Sequence, residues 1–372
     1  METKTFIPLM IPDIRQEDID SVTEVLQSGM LIQGKKVEAL EQQIAAYLGV
    51  KHAIAVSNGT ATLHLALLVS GIGPGDEVIV PALSYIATAN VVELVGATPV
   101  FVDVEAGSFN IDPQLIEQQI TSKTKAIIPV HEFGLACNMI EINRIAQKYG
   151  LVIIEDAACA LGAKQAAVFA GTSGHIGSFS FHPRKAITSG EGGLIVTNDY
   201  ETARQLRILR NHGIEYQDGK MNFVSAGFNY RMTDIQAALV LSQFQRFNDI
   251  LSYKQTLAEV YFSALQQSEL RLPHVPEGHT HTWQSFHVLV PENTSRDALI
   301  GILKEHGIGV NLGAQCMPNE TFYQEKYGLN SEKLFPNAFK ANQKGLVLPL
   351  YERLNESDVQ RICDTLKQVL HA

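Results

Sequence analysis

The 372-residue chain has little of what marks several protein classes. Its four cysteines, Cys137, Cys159, Cys316 and Cys363, are far apart and form no C-x-x-C pair. That spacing suits neither a disulfide scaffold nor a zinc site, and it reads as reduced thiols of a cytoplasmic protein. The 12 histidines include no H-E-x-x-H and no cluster with metal-ligand spacing, so no metal is expected. His279 and His281, in a Pro/Gly/His-rich stretch, read as solvated loop residues. No run of five basic residues occurs, and 29 Lys and Arg against 39 Asp and Glu leave a net charge of −10. Such a chain has no electrostatic reason to hold nucleic acid or an anionic membrane. The long apolar stretch from Val78 to Phe101 is broken by Glu93, Gly96 and Pro99, so no transmembrane helix is expected. The opening METKTFIPLMIPDI lacks the regions of a secretory signal, and none is expected. Neither a G-x-x-x-x-G-K-[ST] nor a strand-associated G-x-G-x-x-G is present, which argues against a P-loop nucleotidase and a dinucleotide fold.

What is there is a globular composition, 45% hydrophobic and 18% charged, long enough for two or three domains. Amphipathic helices are predicted at 15–28, with Asp13 as N-cap, and at 36–48. From about residue 50, short Val- and Ile-rich runs predict strands at His52–Val56, Glu77–Pro81, Pro99–Asp103, Lys125–Val130, Leu151–Glu155, Ile176–Phe181 and Gly193–Thr197. Runs apolar throughout belong to strands covered on both faces. Helical segments at 60–70, 84–95, 113–120 and 138–149 separate the first five, one of them opened by Asp112 as N-cap and Pro113 at N1. The alternation argues an α/β fold with a doubly wound, mostly parallel sheet, whose ligands bind at the carboxyl ends of the strands. One long helical stretch over 233–266, bent near Asn248, leads to a strand at Ser285–Val290 and helices at 296–306 and 356–370. The expected division is an N-terminal segment and large domain over 1–245, then a smaller α+β domain over 246–372.

Three segments could carry chemistry. Ser57-Asn58-Gly59-Thr60-Ala61-Thr62 lies between a predicted strand and a predicted helix. A glycine turn entering a helix presents unpaired N–H groups that suit a phosphate, although a capped helix start without a ligand explains the same residues. Glu155-Asp156-Ala157-Ala158-Cys159 puts a carboxylate at the end of a buried strand, where it could meet a ligand or cap a helix. Ser178-Phe179-Ser180-Phe181-His182-Pro183-Arg184-Lys185, followed by Thr188-Ser189-Gly190-Glu191-Gly192-Gly193, carries a lysine on a loop five residues after Ser180. A lone loop lysine is usually a solvated charge. Phosphate donors, a strand-end Asp and a loop Lys in this chain order are together what pyridoxal 5′-phosphate needs: an anchor, a partner for the pyridine nitrogen, and an amine for the aldehyde.

The sequence resembles the nucleotide-sugar aminotransferase family of the DegT/StrS type, fold-type-I pyridoxal phosphate enzymes. The matching stretches run nearly end to end: SNGTATLHLAL, GPGDEVIVPALSYIATAN, GATPVFVDVE, TKAIIPVH, VIIEDAACALGA, SFSFHPRKAITSGEGGLIVTND, RNHGI, GFNYRMTDIQAAL and VLPLY. The resemblance implies a large domain with a seven-stranded sheet, a smaller C-terminal domain and a homodimer. It implies Lys185 as Schiff-base lysine and proton shuttle, and Asp156 as pyridinium partner. Gly59, Thr60, Ala61 and Ser180 become phosphate ligands. Asn229 reaches the cofactor of the neighbouring subunit. Tyr85 stacks on the cofactor ring, unless it is a core tyrosine at a helix start.

The sequence also departs from the family pattern. Cys159 stands where many relatives place His or Gln facing the cofactor's phenolic oxygen, unless it packs away as a small apolar residue. His175 replaces a common Asp, Gly134-Leu135-Ala136 replaces Gly-Gln-Pro, and Asn311 to Pro318 lacks the usual His-Tyr…Pro-x-His pattern. These departures are expected near substrate and cofactor.

The implied reaction is transfer of an amino group from an amino acid, L-glutamate by analogy, to a nucleotide-linked keto-deoxysugar. SFHPRK with GEGG leans toward amination at C4 rather than C3. The alternatives are another pyridoxal phosphate reaction on the scaffold, such as carbocyclic ketone aminotransfer or elimination, and a non-catalytic cofactor-binding regulator.

Overall fold

The computed structural model describes residues 5–370. Seven strands form the central sheet: β1 (His52–Val56), β2 (Glu77–Pro81), β3 (Thr98–Val102), β4 (Thr124–Ile127), β5 (Val152–Asp156), β6 (Ile176–Ser180) and β7 (Gly193–Thr197), in the order β1-β7-β6-β5-β4-β2-β3. The pairs β2–β3, β2–β4, β4–β5 and β5–β6 are parallel. β7 runs antiparallel to both of its neighbours, β1 and β6. Each strand is one of the apolar runs, to within a few residues.

Alternation along the strands explains their two-sided burial. Ile54 and Val56 enter one core, and Ala53 and Ala55 enter the core on the other face. The first core holds α3 (Gly59–Val69), α4 (Ala87–Leu94) and α7 (Tyr200–Arg210). The second holds α2 (Lys35–Leu48) and α8 (Asp234–Phe244). α3 buries Leu63, Leu65 and Leu67 almost completely, each worth about 1.5–3 kcal/mol relative to exposure. A further core joins α9 (Phe247–Leu265) to the helices Arg296–Glu305 and Glu356–Leu370 and to the strand pair Phe286–Leu289 with Gly345–Leu348. Ile7, near the other end of the chain, packs into this same core beside Ile308.

Several expectations change. Asp13 is not the cap of α1 (Gln16–Ser28): that helix starts from Arg15, whose N–H is taken by the buried Asp18 carboxylate at 2.8 Å. Asp13 instead accepts from the Arg15 guanidinium at 2.6 Å. The stretch 233–266 is two helices, broken at Gln245–Arg246 rather than bent at Asn248. The Arg246 guanidinium leaves the helix line to bind Asp18 at 2.7 Å and the Asp13 carbonyl at 2.8 Å, which fixes the break. Residues 84–95 are not all helical, because Leu83–Ser84 pairs with Gln315–Cys316 and α4 begins at Ala87. The segment 113–120 is a single α-turn, Pro113–Ile116, followed by a 3-10 turn. His279 and His281 are half-buried rather than free loop residues: His279 lies on a short strand paired with Gln165, and the His281 ring stacks 3.9 Å from that of Trp283.

Part of the family-like signature is structural. Thr233 and Gln236 of MTDIQ form a reciprocal cap on α8. Asp234 accepts from Gly34 N at 2.8 Å and Val37 N at 3.0 Å, so it caps α2 from 200 residues away. No helix among the described residues is long and apolar enough to cross a membrane.

Candidate active site

The carboxyl ends of β5 and β6 and of β1 meet on one rim. Asp156 is in register with Ser178, Ser180 with Gly193, and Gly193 with Val56. A cleft of about 800 Å³ opens there, within the range of small-molecule sites. Its lining includes Gly59, Thr60, Ala61, Tyr85, Asp156, Cys159, Ser180 and Lys185, which brings eight of the nine sequence candidates together.

The anion-binding side is the start of α3. Asn58 Oδ1 caps the helix by accepting from Ala61 N at 2.8 Å. The N–H groups of the first turn have no carbonyl four residues back, so they face the cleft with the positive end of the helix dipole. Gly59 is required by close approach. A Cβ there would stand 2.9 Å from Ser180 Cβ and 3.1 Å from its Oγ, closing the hollow between helix start and strand end.

Asp156 is only 5% exposed and closes β5. It accepts from Thr88 Oγ1 at 2.9 Å and from Ala158 N at 3.2 Å. Burial raises its pKa above the ordinary value, against the lowering effect of these donors and of Lys185. The neighbouring Glu155 points into the opposite layer and anchors the strand end. It accepts from Gly171 N at 2.8 Å, Ser173 N at 2.7 Å and His131 Nε2 at 2.8 Å. His131 Nδ1 accepts from Cys137 N at 2.9 Å, which puts the ring proton on Nε2.

Lys185 sits on the loop between β6 and β7. Its Nζ is 3.0 Å from Cys159 Sγ. Burial works against the ammonium, but Cys159, Asp156 and Glu132 outweigh it and hold the amine above the usual lysine value. Burial also raises the Cys159 thiol, although Lys185 pulls it down. The loop is held from behind. Gln243 of α8 donates to Thr188 O at 2.7 Å and accepts from Thr188 N at 3.0 Å.

The remaining candidates fall differently. Tyr85 is 67% exposed at the cleft mouth, so it is not a core tyrosine. Asn229 is exposed and does not line the cleft of its own chain. Of the departures, Leu312, Gly313, Ala314 and Gln315 do line the cleft. His175 does not: it lies at the opposite end of β6, where its Nδ1 accepts from Ile153 N at 3.0 Å. Gly134-Leu135-Ala136 is also outside the lining, and Glu132 and Phe133 occupy it instead. Ser84, Thr88 and Glu132 are cleft residues that the motifs do not single out. The signal for Glu132 was its place just after a strand, one residue past Val130-His131.

These groups fit pyridoxal 5′-phosphate. The hollow that a Cβ at Gly59 would fill matches an anion, the buried Asp156 carboxylate matches a ring cation, and Lys185 is the one lysine of the lining among the described residues. Among the described residues no group of three or more His, Cys, Asp or Glu could hold a metal ion.

Comparison with known proteins agrees with this geometry. The chain is 37% identical over 379 aligned positions to the spore coat polysaccharide biosynthesis protein SpsC of Bacillus subtilis (strain 168), covering 98% of this chain and 97% of SpsC. Among solved structures, the PLP form of Spr1654 from Streptococcus pneumoniae, assigned as a sugar aminotransferase, superposes with a TM-score of 0.93 at 31% identity, covering 98% and 99% of the two chains. Helicobacter pylori PseC, an aminotransferase involved in pseudoaminic acid biosynthesis, gives a TM-score of 0.93 at 27% identity over 99% of this chain and 100% of PseC. Residues 12–367 match the DegT/DnrJ/EryC1/StrS aminotransferase family, and the chain belongs to that family.

Proposed function

We propose that this protein is a pyridoxal 5′-phosphate-dependent sugar aminotransferase of polysaccharide or amino-sugar biosynthesis. In this reading it takes the amino group from an amino acid, L-glutamate, and delivers it to a nucleotide-linked keto-deoxysugar at C4. One observation carries the reading: a buried strand-end Asp156 and the amine of Lys185 share a cleft with the open start of α3. The likeness to SpsC and Spr1654 supports the sugar side, since one is named for polysaccharide biosynthesis and the other as a sugar aminotransferase.

When bound, the cofactor supplies an electron sink for the carbon that loses its proton. Gly59, Thr60 and Ser180 would hold the phosphate through N–H and hydroxyl donors, beside Ala61, whose own N–H is taken by Asn58 Oδ1. Asp156 keeps the ring nitrogen protonated. Lys185 Nζ would hold the cofactor's aldehyde at rest and, once free, would take the donor's α-proton and give it back. Held close in a dry cleft, it acts as both base and acid. Leu312 to Gln315 and Gln284 face the side left for the sugar. Asn229, exposed and away from its own cleft, serves the neighbouring site of a cytoplasmic homodimer. The break before α9 is the boundary between a large domain and a smaller C-terminal one.

The test is a half-reaction. Adding L-glutamate to the cofactor-loaded protein should convert the cofactor to its pyridoxamine form and release one equivalent of 2-oxoglutarate. Lys185→Ala should stay folded and lose the conversion. A loaded wild type that responds to no amino acid would sink the transaminase reading and favour an eliminating enzyme or a regulator. A panel of nucleotide-linked keto sugars then identifies the acceptor.

A further inference from the structure

Cys159 and Lys185 meet because their strands pair. β5 and β6 run side by side in parallel, with Asp156 in register with Ser178. Cys159 lies three residues beyond the end of β5, and Lys185 five beyond the end of β6. Both turns are fixed. Thr282 Oγ1 donates to the Cys159 carbonyl at 3.1 Å, and the Lys185 N–H donates to the His182 carbonyl at 2.8 Å. Between the two turns the Lys185 amine donates to Cys159 Sγ at 3.0 Å. Of the four cysteines, Cys159 alone is partly exposed; Cys137, Cys316 and Cys363 are buried. It lines the cleft, so a small molecule that enters the cleft can reach it.

The proposed transfer uses the amine and leaves the sulfur idle. A partly exposed thiol beside an ammonium is placed for thiolate chemistry. The cations facing it are Lys185 and, from α9, Lys254, whose Nζ is buried with no hydrogen-bond partner among the described residues. The acids facing it are Asp156 and Glu132. Burial outweighs the pull of Lys185, so the thiol keeps its proton beyond the usual cysteine range. The amine is likewise held above the usual lysine value. Both must lose a proton before they react as nucleophiles, so any reaction of the pair quickens with rising pH.

We propose that Cys159 and Lys185 are a redox-sensitive pair, which a hydroperoxide closes into a covalent sulfur–nitrogen bond. The thiolate attacks the terminal oxygen of the hydroperoxide and the O–O bond breaks. The sulfur is oxidised to sulfenic acid, and the hydroperoxide is reduced to water or an alcohol, which keeps the proton that the thiol gave up. The neutral Lys185 amine then attacks the sulfur. An S–N bond forms, the S–O bond breaks, and the oxygen leaves as water with one proton from the nitrogen. This second step consumes no further oxidant. The flexible lysine stem closes the remaining gap. The bond spares Cys159 the irreversible sulfinic step, and a thiol reductant returns both side chains. While it lasts, the amine that the transfer needs is blocked. That consequence rests on the pyridoxal phosphate reading. The bond itself does not.

The test treats cofactor-free protein with hydrogen peroxide and reads intact mass and peptides. Wild type should become lighter by the mass of two hydrogen atoms, with the Cys159 peptide joined to the Lys185 peptide, and dithiothreitol should reverse the change. Joining should be faster at about pH 9 than at about pH 7. Lys185→Met keeps a stem without an amine and should instead give a sulfenic acid at Cys159, trapped by dimedone. A wild-type Cys159 that oxidises without joining Lys185, or does not oxidise, overturns the proposal. Activity is read next, after reloading with pyridoxal phosphate, each protein against its own untreated rate. Wild type should lose the glutamate half-reaction in proportion to the joined fraction and regain it with dithiothreitol, while Cys159→Ser keeps its own rate through the treatment. Joined protein that keeps its rate overturns the redox control. An untreated wild type that joins cleanly but shows no half-reaction refutes the transaminase reading and supports the pair.

Discussion

Acidification from pH 7.5 to 5.5 should destabilise the protein through His287, and by an amount that the structure sets. The ring is 1% exposed, and neither of its nitrogens has a hydrogen-bond partner. It is stacked on Phe133 and meets the edge of Phe109 at 4.7 Å. A Cβ added at Gly313 or Gly345 would fall 2.3 Å from its Nε2, so backbone closes the remaining side. A proton on this ring would be buried without water or an acceptor. Burial and the charge of Arg296 accordingly push its pKa down to about 3. The folded value is depressed below the ordinary 6.5, so the stabilisation is complete above pH 6.5 and is lost as pH falls toward 3. Over the two-unit step the unfolded chain gains about RT ln(11/1.1), or about 1.4 kcal/mol, in proton binding that the folded chain cannot match. Any folded value below about 4.5 gives the same result. Urea unfolding of wild type and His287→Gln at both pH values is the assay. Every other titrating group is common to the two proteins and cancels in the comparison. The variant should lose about 1.4 kcal/mol less stability across the step than wild type. Equal losses would refute the account of a sealed, neutral imidazole.

Three further outcomes bear on the cleft. Gly59→Ala should weaken pyridoxal phosphate binding at least about tenfold in equilibrium dialysis, because the new methyl meets Ser180 at 2.9 Å where an anion would sit, while circular dichroism stays unchanged. Asp156→Asn should keep some cofactor but lose most of the half-reaction rate with glutamate, since an amide cannot hold the ring proton; a near-wild-type rate would assign that task elsewhere. Cys159→His brings a ring donor within reach of the Lys185 amine, which is 3.0 Å from Sγ, and should move the pH at which the bound cofactor's visible absorbance titrates. An unmoved titration with stoichiometric cofactor would show that position 159 does not act on the cofactor.

The sheet was legible in the sequence because buried parallel strands are apolar on both faces and short, so each run marks a strand directly. The cleft was legible for a related reason: Asn58-Gly59, Asp156 and Ser180 sit at the ends of those runs. The misreadings share a different cause, which is contact between residues distant in sequence. Arg246 breaks a helix because of Asp18, 228 residues earlier. Leu83–Ser84 leaves the helical pattern because of Gln315–Cys316. His281 leaves the free-loop class because it bridges to Leu135, far back in the chain. Glu132 was overlooked because a carboxylate after a strand looks like any loop acid. Only the assembled sheet, which brings it to the cleft lining beside Asp156, gives it a site to belong to.

The inverted strand β7 has a consequence for the order of assembly. It turns the Lys185 loop into the end of a hairpin, with Ser180 and Gly193 facing each other across its base. Closing so short a loop costs little chain entropy, and the contact is local, so this part of the cleft can form early. Asp156 joins it only when β5 pairs in parallel with β6, and the start of α3 only when β1 pairs with β7 across a long connection; such non-local pairing is the slow part of folding. A ligand that touches all three therefore binds only the finished sheet. By mass action it stabilises that state alone, and at a hundredfold excess over its dissociation constant the gain is about 2.7 kcal/mol. Supplying pyridoxal phosphate during refolding should raise the yield without speeding the first hairpin, making the cofactor a lock on the last step of folding.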